Sequence, residues 1–556
     1  MERKRGIAAP ALVAVVIAGS MACSGKGPAG KASDKGGFDA GALAAHVRVL
    51  ASDEYEGRAP GSKGEELTVA YISGEFRKLG LKPGVGESYI QDVPMVEITN
   101  DPQAVLRVKN AKSDLAFPAG TAFVGWTLRA QDLIEVADSE MVFVGYGVVA
   151  PEQGWNDYAG QDVRGKTVVM LVNDPGFATK DPDLFNGKAM TYYGRWVYKF
   201  EEAARQGAAG AVLVHETEAA SYGWEVVHNS WMGARYSLST PDGNASRCDF
   251  ESWISLDSAK AIFAGAGLDF DAMKAAANKP GFKAVPLPAR ASVTMHNSIR
   301  PVMSRNVIGI IPGTKRPDET VIYVAHWDHF PPNPSLPGED KIFNGALDNA
   351  SGVAGLIETA RAFMRPGAAP ERSILFLAST AEEQGILGTE YYVSHPVVPL
   401  ARTIAALNFE SLNIWGRTKD VIIIGYGQCD LDEYIEAAAA GQGRVLSPDP
   451  TPEDGGYFRS DHFPFARAGV PAMMAASGTD DLEKGPEYGK KIRDAWGPAN
   501  YHQPSDELTP DWKFDGMIED LEMYYAIGRR LVRETTFPGW KQGSEFKAKR
   551  DAMMGK

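Results

Sequence analysis

At 556 residues, 44% of them hydrophobic, the chain exceeds what a single hydrophobic core usually serves and predicts two domains, or one domain carrying a large insertion. A formal net charge of -14, with 57 Lys and Arg dispersed among 71 Asp and Glu, forms no basic stripe and argues against a nucleic-acid partner. Acidity of this kind suits solubility.

The first 23 residues read as a secretory signal: a basic start at Arg3-Lys4-Arg5, an apolar run from Ile7 to Ala18, then small residues before Cys23. The run is shorter than the roughly 20 residues a membrane-spanning helix needs. Ser20-Met21-Ala22-Cys23 resembles a bacterial lipobox, but Ser20 stands where an aliphatic residue is usual, so a lipidated Cys23 and ordinary cleavage near Ala22 both remain open. Either implies export, to the periplasm, the exterior or a lipid anchor in a bacterial membrane. No later segment has the length and apolarity of a span, so membrane attachment is expected only through Cys23. Residues 24–37, polar and rich in Gly and Lys, predict a flexible tether. Cys248 and Cys429 then remain, and sequence does not tell whether they pair.

Residues 38–131 open a domain that is completed later. Helical spacing runs from Leu43 to Leu50 and again from Glu65 to Leu79, where Leu67, Ala70, Tyr71, Phe76 and Leu79 share a face and Gly80 ends the helix. From 132 to 290 the texture changes to short strands and turns, including 141–144, 167–172 and 211–214, with a helix over 198–206. This stretch holds none of the candidate ligands. Its Gly145-Tyr146-Gly147, Asp162-Val163-Arg164-Gly165-Lys166 and Gly207-Ala208-Ala209-Gly210 elements resemble the protease-associated domain, a β-rich module inserted in secreted peptidases. In Tyr192-Tyr193-Gly194-Arg195-Trp196, two readings stand: an overhang above a cleft, or a packed aromatic core.

From 291 to 540 apolar strands alternate with helical patterns, which predicts an α/β fold with a mixed, mostly parallel sheet sandwiched by helices. Strands are expected at 321–325, 373–378, 403–407, 421–424 and 471–474, a helix just after Asp348-Asn349, and a last helix over 515–533. Residues 541–556 read as a tail.

Ligands in open α/β sheets gather beyond the carboxyl ends of the strands. His326 follows the first of these strands, Glu382 and Glu383 follow the second, Glu410 follows the third, and Asp348 precedes a helix. With His502, this gives two imidazoles and three ligating carboxylates, enough for two divalent ions if one carboxylate bridges. Asp348 is the expected bridge, with His326 and Glu410 on one ion and Glu383 and His502 on the other. Glu382 is left to move protons between an attacking water and a departing amine. Asp328, on the same side of an extended segment as His326, is expected to accept that histidine's second N–H, and Tyr501 to donate to a developing oxyanion. Each signal alone is weak: Asp348-Asn349 could merely cap a helix, and a Glu-Glu pair is ordinarily solvated surface. Capping does not explain polar residues ending successive buried strands.

The motifs His326-Trp327-Asp328, Gly345 to Gly352, Ala381-Glu382-Glu383-Gln384-Gly385, Asn408-Phe409-Glu410, Ser460-Asp461-His462 and Tyr501-His502 resemble those of the secreted co-catalytic dizinc exopeptidases. That group includes bacterial leucyl aminopeptidases, aminopeptidase Y and glutamate carboxypeptidases. Leu50 to Asp53 and Gly57-Arg58-Ala59-Pro60-Gly61 extend the resemblance to the N-terminal flank. It implies two zinc ions, peptide substrates and removal of N-terminal residues, with Glu382 as base. Many members have Asp where Glu410 stands. Three alternatives stay open: a carboxypeptidase or dipeptidase on the same scaffold, a one-zinc glutaminyl cyclase relative, and a non-catalytic binding protein. His329 and His462 read as supporting residues rather than ligands.

Overall fold

The computed structural model describes residues 36–555; the expected signal and Cys23 lie outside the described residues. Two sheets organise the chain. The larger has ten strands, in the order Ala234–Leu238, Ile90–Thr99, Ser298–Ile311, Arg372–Ser379, Arg316–His326, Thr403–Asn408, Ala472–Ser477, Asp420–Ile424 and Val445–Pro448, with Lys82–Pro83 paired to Ser298–Ile311. Its four central strands, from Arg372–Ser379 to Ala472–Ser477, are mutually parallel, and antiparallel pairs flank them. Every residue of Arg372–Ser379 and Thr403–Asn408 is buried, as parallel strands covered on both faces must be.

Helices supply that cover. Ala40–Leu50, Lys63–Leu79, Gly352–Met364 and Phe514–Leu531 pack on one another, and Leu387–Ser394 packs with His462–Arg467. Local chemistry sets their ends: Asp39 caps the first helix at the Ala42 amide, Ser62 caps the second at Glu65, and left-handed Gly80 stops it. At the sheet's centre Tyr323 stacks on Phe376 and Phe409.

The second sheet has eight strands and is continuous from Asp114–Pro118 through Val105–Asn110, Val285–His296, Leu133–Phe143, Thr167–Leu171, Gly210–His215 and Phe250–Ser255 to Phe123–Trp126. It begins at Val105, ahead of the start at 132 expected from the sequence. The early strands are four to six residues long. Val105–Asn110 pairs with neighbouring Asp114–Pro118 but also with Val285–His296, and Phe123–Trp126 pairs with Phe250–Ser255, distant partners that leave no local pattern. One strand from residues 132–290, the stretch expected to be an insert, joins the larger sheet: Ala234–Leu238 pairs with Ile90–Thr99 at its edge.

The expected C-terminal tail is instead a docked segment. Helix Lys547–Met553 is held by Arg550, which donates to the carbonyls of Leu400 and Thr403, and Trp540 donates to Gly469. Cys248 and Cys429 are both buried as free thiols, so they do not pair. Among the described residues no helix is long and apolar enough to cross a membrane.

Candidate metal centre

The carboxyl ends of the parallel strands converge as the sequence predicts. His326 is the last residue of its strand and wholly buried, and its Nε2 lies 3.4 Å from Asp348 Oδ1 and 3.4 Å from Glu410 Oε1. On the other side of Asp348, His502 Nε2 lies 3.2 Å from Asp348 Oδ2 and 3.3 Å from Glu383 Oε2. Asp348 therefore presents one oxygen to each group, the arrangement a bridging carboxylate requires.

Asp348 does not cap the helix that follows. Residues 346–351 form an irregular turn with non-helical dihedrals at Asp348 and Asn349, and Asn349 Oδ1 takes the Gly352 amide instead. This leaves the Asp348 carboxylate free. Asp506 holds the turn from below, accepting the amides of Leu347 at 2.9 Å and Asp348 at 3.0 Å. Burial pushes the Asp506 carboxyl up to about 6 despite those two amides.

Glu410 reaches the cluster in spite of its extra methylene. Ser460 Oγ donates to its Oε2 at 2.6 Å and itself accepts from Asn408 Nδ2 at 2.7 Å, which leaves Oε1 turned toward His326.

Asp328 acts differently from the sequence expectation. His326 Nδ1 lies 3.1 Å from the Asp328 backbone carbonyl and 3.7 Å from its Oδ1, so the main chain of Asp328 fixes the imidazole. The carboxylate is engaged elsewhere, accepting the amide of Glu382 at 3.0 Å and that of Glu383 at 3.3 Å. Asp328 thus aims the Glu-Glu turn, which the amides of Gly385 and Ile386 close onto the Glu382 carbonyl.

Burial drives the Glu382 carboxyl well above the usual carboxylate range; His326 opposes this, and Glu410, Glu383 and Asp461 add to it. Burial also acts on Asp348 and Glu383, but hydrogen bonds and charge from His326, His502 and His329 hold both below that range. For His502, burial opposes protonation, and Asp348 and Glu383 override it to raise the imidazole to about 10. Tyr501 keeps an exposed ring stacked on His502, with centroids 3.7 Å apart.

Four supporting residues had no assigned role in the sequence reading, or a lesser one. His329 is wholly buried, with Nδ1 2.7 Å from Glu383 Oε1. His462 is buried against Tyr457, and burial lowers it to about 3. Asp461 accepts from Ser379 and Thr389. Arg58 is the most consequential. Its guanidinium, 1% exposed, donates to four carbonyls, those of Leu50, Trp327, Asn344 and Gly345. It thereby ties the His326 loop to the Asp348 loop. Gly57 beside it has φ +74°, and a Cβ there would stand 2.1 Å from the Phe330 carbonyl, so only glycine lets the chain approach this closely. Arg58→Leu would orphan those carbonyls in a dry site, and we expect a loss of about 3–5 kcal/mol by chemical denaturation together with weakened metal retention.

The donor set fits metal ions. His326, Asp348 and Glu410 form one cluster of ligand atoms and His329, Asp348 and Glu383 a second, while His502 Nε2, facing oxygens of Asp348 and Glu383, is buried with no hydrogen-bond partner. Imidazole nitrogens and carboxylate oxygens in such numbers suit zinc and its neighbours.

Residues 306–526 match the model of peptidase family M28. A stretch of about two fifths of the chain is thus similar to the M28 peptidases. Among curated proteins, leupeptin-inactivating enzyme 1 of Streptomyces exfoliatus is 32% identical over 199 residues, 34% of this chain and 43% of the relative. Aminopeptidase YwaD of Bacillus subtilis is 28% identical over 212 residues, 37% of this chain and 40% of the relative. The matched stretch thus spans less than half the length of either. Among solved structures, an aminopeptidase from Aneurinibacillus sp. strain AM-1 superposes with a TM-score of 0.50 at 18% identity, covering 91% of this chain and 97% of that one. The likeness in fold therefore extends beyond residues 306–526.

Proposed function

We propose that the M28-like stretch makes this protein a metallo-exopeptidase that removes N-terminal residues from peptides, with two zinc ions as its cofactor. The observation that carries the reading is Asp348, whose two carboxylate oxygens face separate histidine and carboxylate groups at the ends of parallel strands. His326, Asp348 and Glu410 would hold one ion; Asp348, Glu383 and His502 would hold the other. When bound, two such ions supply Lewis-acid chemistry, polarising a carbonyl and lowering the pKa of water. Glu382, whose carboxylate beside the cluster is left without a hydrogen-bond partner among the described residues, takes the proton of the attacking water and returns it to the departing amine. Tyr501, at the cleft edge, donates to the carbonyl oxygen as charge develops there. Asp328 keeps Glu382 and Glu383 divided between these tasks through their amides.

A carboxypeptidase or dipeptidase is the second reading, favoured by the arginines on the wall of the same cleft. Mass spectrometry of a defined peptide mixture after incubation with the zinc-loaded protein separates the two. We expect products shortened from the N-terminus. Products shortened from the C-terminus would give the second reading, and an unchanged mixture at full metal loading would remove both. The basic and apolar segments of residues 1–23 support export, which cell fractionation and the mass of the mature N-terminus test.

A further inference from the structure

The cleft beside Glu382 and Glu383 has a volume of about 300 Å³, and its far wall comes from residues 132–290. That wall presents Arg195, only 8% exposed. Burying a guanidinium is costly unless it is paired, and buried arginines ordinarily find a carboxylate or a set of carbonyls, as Arg58 does. Arg195 finds neither. Its Nε is sealed from solvent without an acceptor, and the charged side chain that acts on it most strongly is another cation, Arg459, which lines the same cleft. Burial and Arg459 together lower Arg195 to about 10, with only Tyr222 and Tyr192 acting the other way.

The side chain is nonetheless held in place. Gly455 of the M28-like stretch lies against Arg195 Cδ, and the guanidinium sits 5.8 Å from the ring of Trp196. By contrast Arg467, also on the cleft, is neutralised by Glu201 and Glu390. Arg195 is therefore a fixed, uncompensated cation facing a cavity whose opposite side carries the reacting groups. The acceptor it lacks must come from outside the chain.

We infer that Arg195 and Arg459 form an anion subsite between residues 132–290 and the M28-like stretch, which binds a carboxylate of the peptide being cleaved. This rests on the exopeptidase reading and narrows its substrates to peptides that place a carboxylate close to the scissile bond. Two sources share that chemistry: the C-terminus of a dipeptide, or an acidic side chain following the bond. A planar guanidinium matches either as a bidentate pair.

The test compares Leu-Gly, Leu-Gly-amide and Leu-Glu-amide on zinc-loaded full-length protein and on Arg195→Gln. We expect wild type to favour one of the carboxylate-bearing peptides over Leu-Gly-amide by about tenfold or more in kcat/KM, mostly through KM, as a charge-assisted pair implies. Arg195→Gln should collapse that preference to near unity, and Arg195→Lys should restore part of it. Preference for Leu-Gly identifies the C-terminus as the ligand, and preference for Leu-Glu-amide the side chain. A merely structural role would lower kcat on all three peptides and leave the preference intact. No preference in wild type, or a preference that survives Arg195→Gln, would overturn the inference while leaving the exopeptidase reading standing. Calorimetric binding of the same peptides in a Glu382→Gln background reads the subsite without turnover. If no peptide is cleaved, the exopeptidase reading fails, and carboxylate-selective binding lost with Arg195 still supports the subsite; equal binding of all three defeats it.

Discussion

Glu382→Gln is expected to lower kcat by about 10²–10⁴-fold, with KM, metal content and thermal stability near wild type. The carboxylate of Glu382 accepts no hydrogen bond among the described residues. Its position is set by the main chain, through the Asp328 carboxylate on its amide and the turn amides on its carbonyl. Gln preserves the size and the backbone contacts and removes only the ability to take a proton. The effect should therefore fall on the chemical step, which steady-state kinetics beside metal analysis and a melting curve will isolate. Unchanged turnover would transfer the proton-moving role to another residue, and loss of metal would make Glu382 a ligand.

Asp348→Ala is expected to release both ions rather than one. Its two oxygens face His326 and His502 separately, so each group loses a member at once. Affinity at both positions should fall by more than the roughly 10–100-fold caused by changing a residue that only supports a ligand. Glu410→Ala and His502→Ala make the comparison sharp, because each should weaken one ion and spare the other. Equilibrium dialysis with elemental analysis distinguishes these outcomes. A protein with Asp348→Ala that still held one ion tightly would show that Asp348 does not bridge.

Much of this centre was legible in the sequence because its logic is local. A strand buried on both faces must read as an apolar run, and a His or Glu ending such a run has to be explained by what lies beyond the sheet. That reasoning singles out His326, Glu382, Glu383 and Glu410 on three strand ends, and the helix after Asp348 points to a fourth segment. The supports were hidden for the opposite reason. Asp506 accepts amides 158 and 159 residues away, and Arg58 donates to a carbonyl 269 residues away, contacts that leave no periodicity. Arg58 lay within a noted motif, Gly57 to Gly61, but nothing local assigns a guanidinium to four distant carbonyls. Asp328 illustrates the limit more finely. The i to i+2 relation with His326 was correctly seen, yet the carboxylate had a stronger claim from two amides on the next strand's loop. The same held in residues 132–290, where Tyr192 proved to be core, packed on Phe458 and Phe463, and Arg195, three residues on, faces the cleft.

The most direct test of the central claim is the metal stoichiometry of the purified protein, measured by elemental analysis and followed through chelation and reconstitution alongside peptide hydrolysis. The arrangement of His326, Asp348, Glu383, Glu410 and His502 predicts two divalent ions per chain, hydrolysis that is lost with them, and recovery when zinc is returned. A chain that binds no metal, or one that trims peptides at full rate after complete chelation, would contradict it.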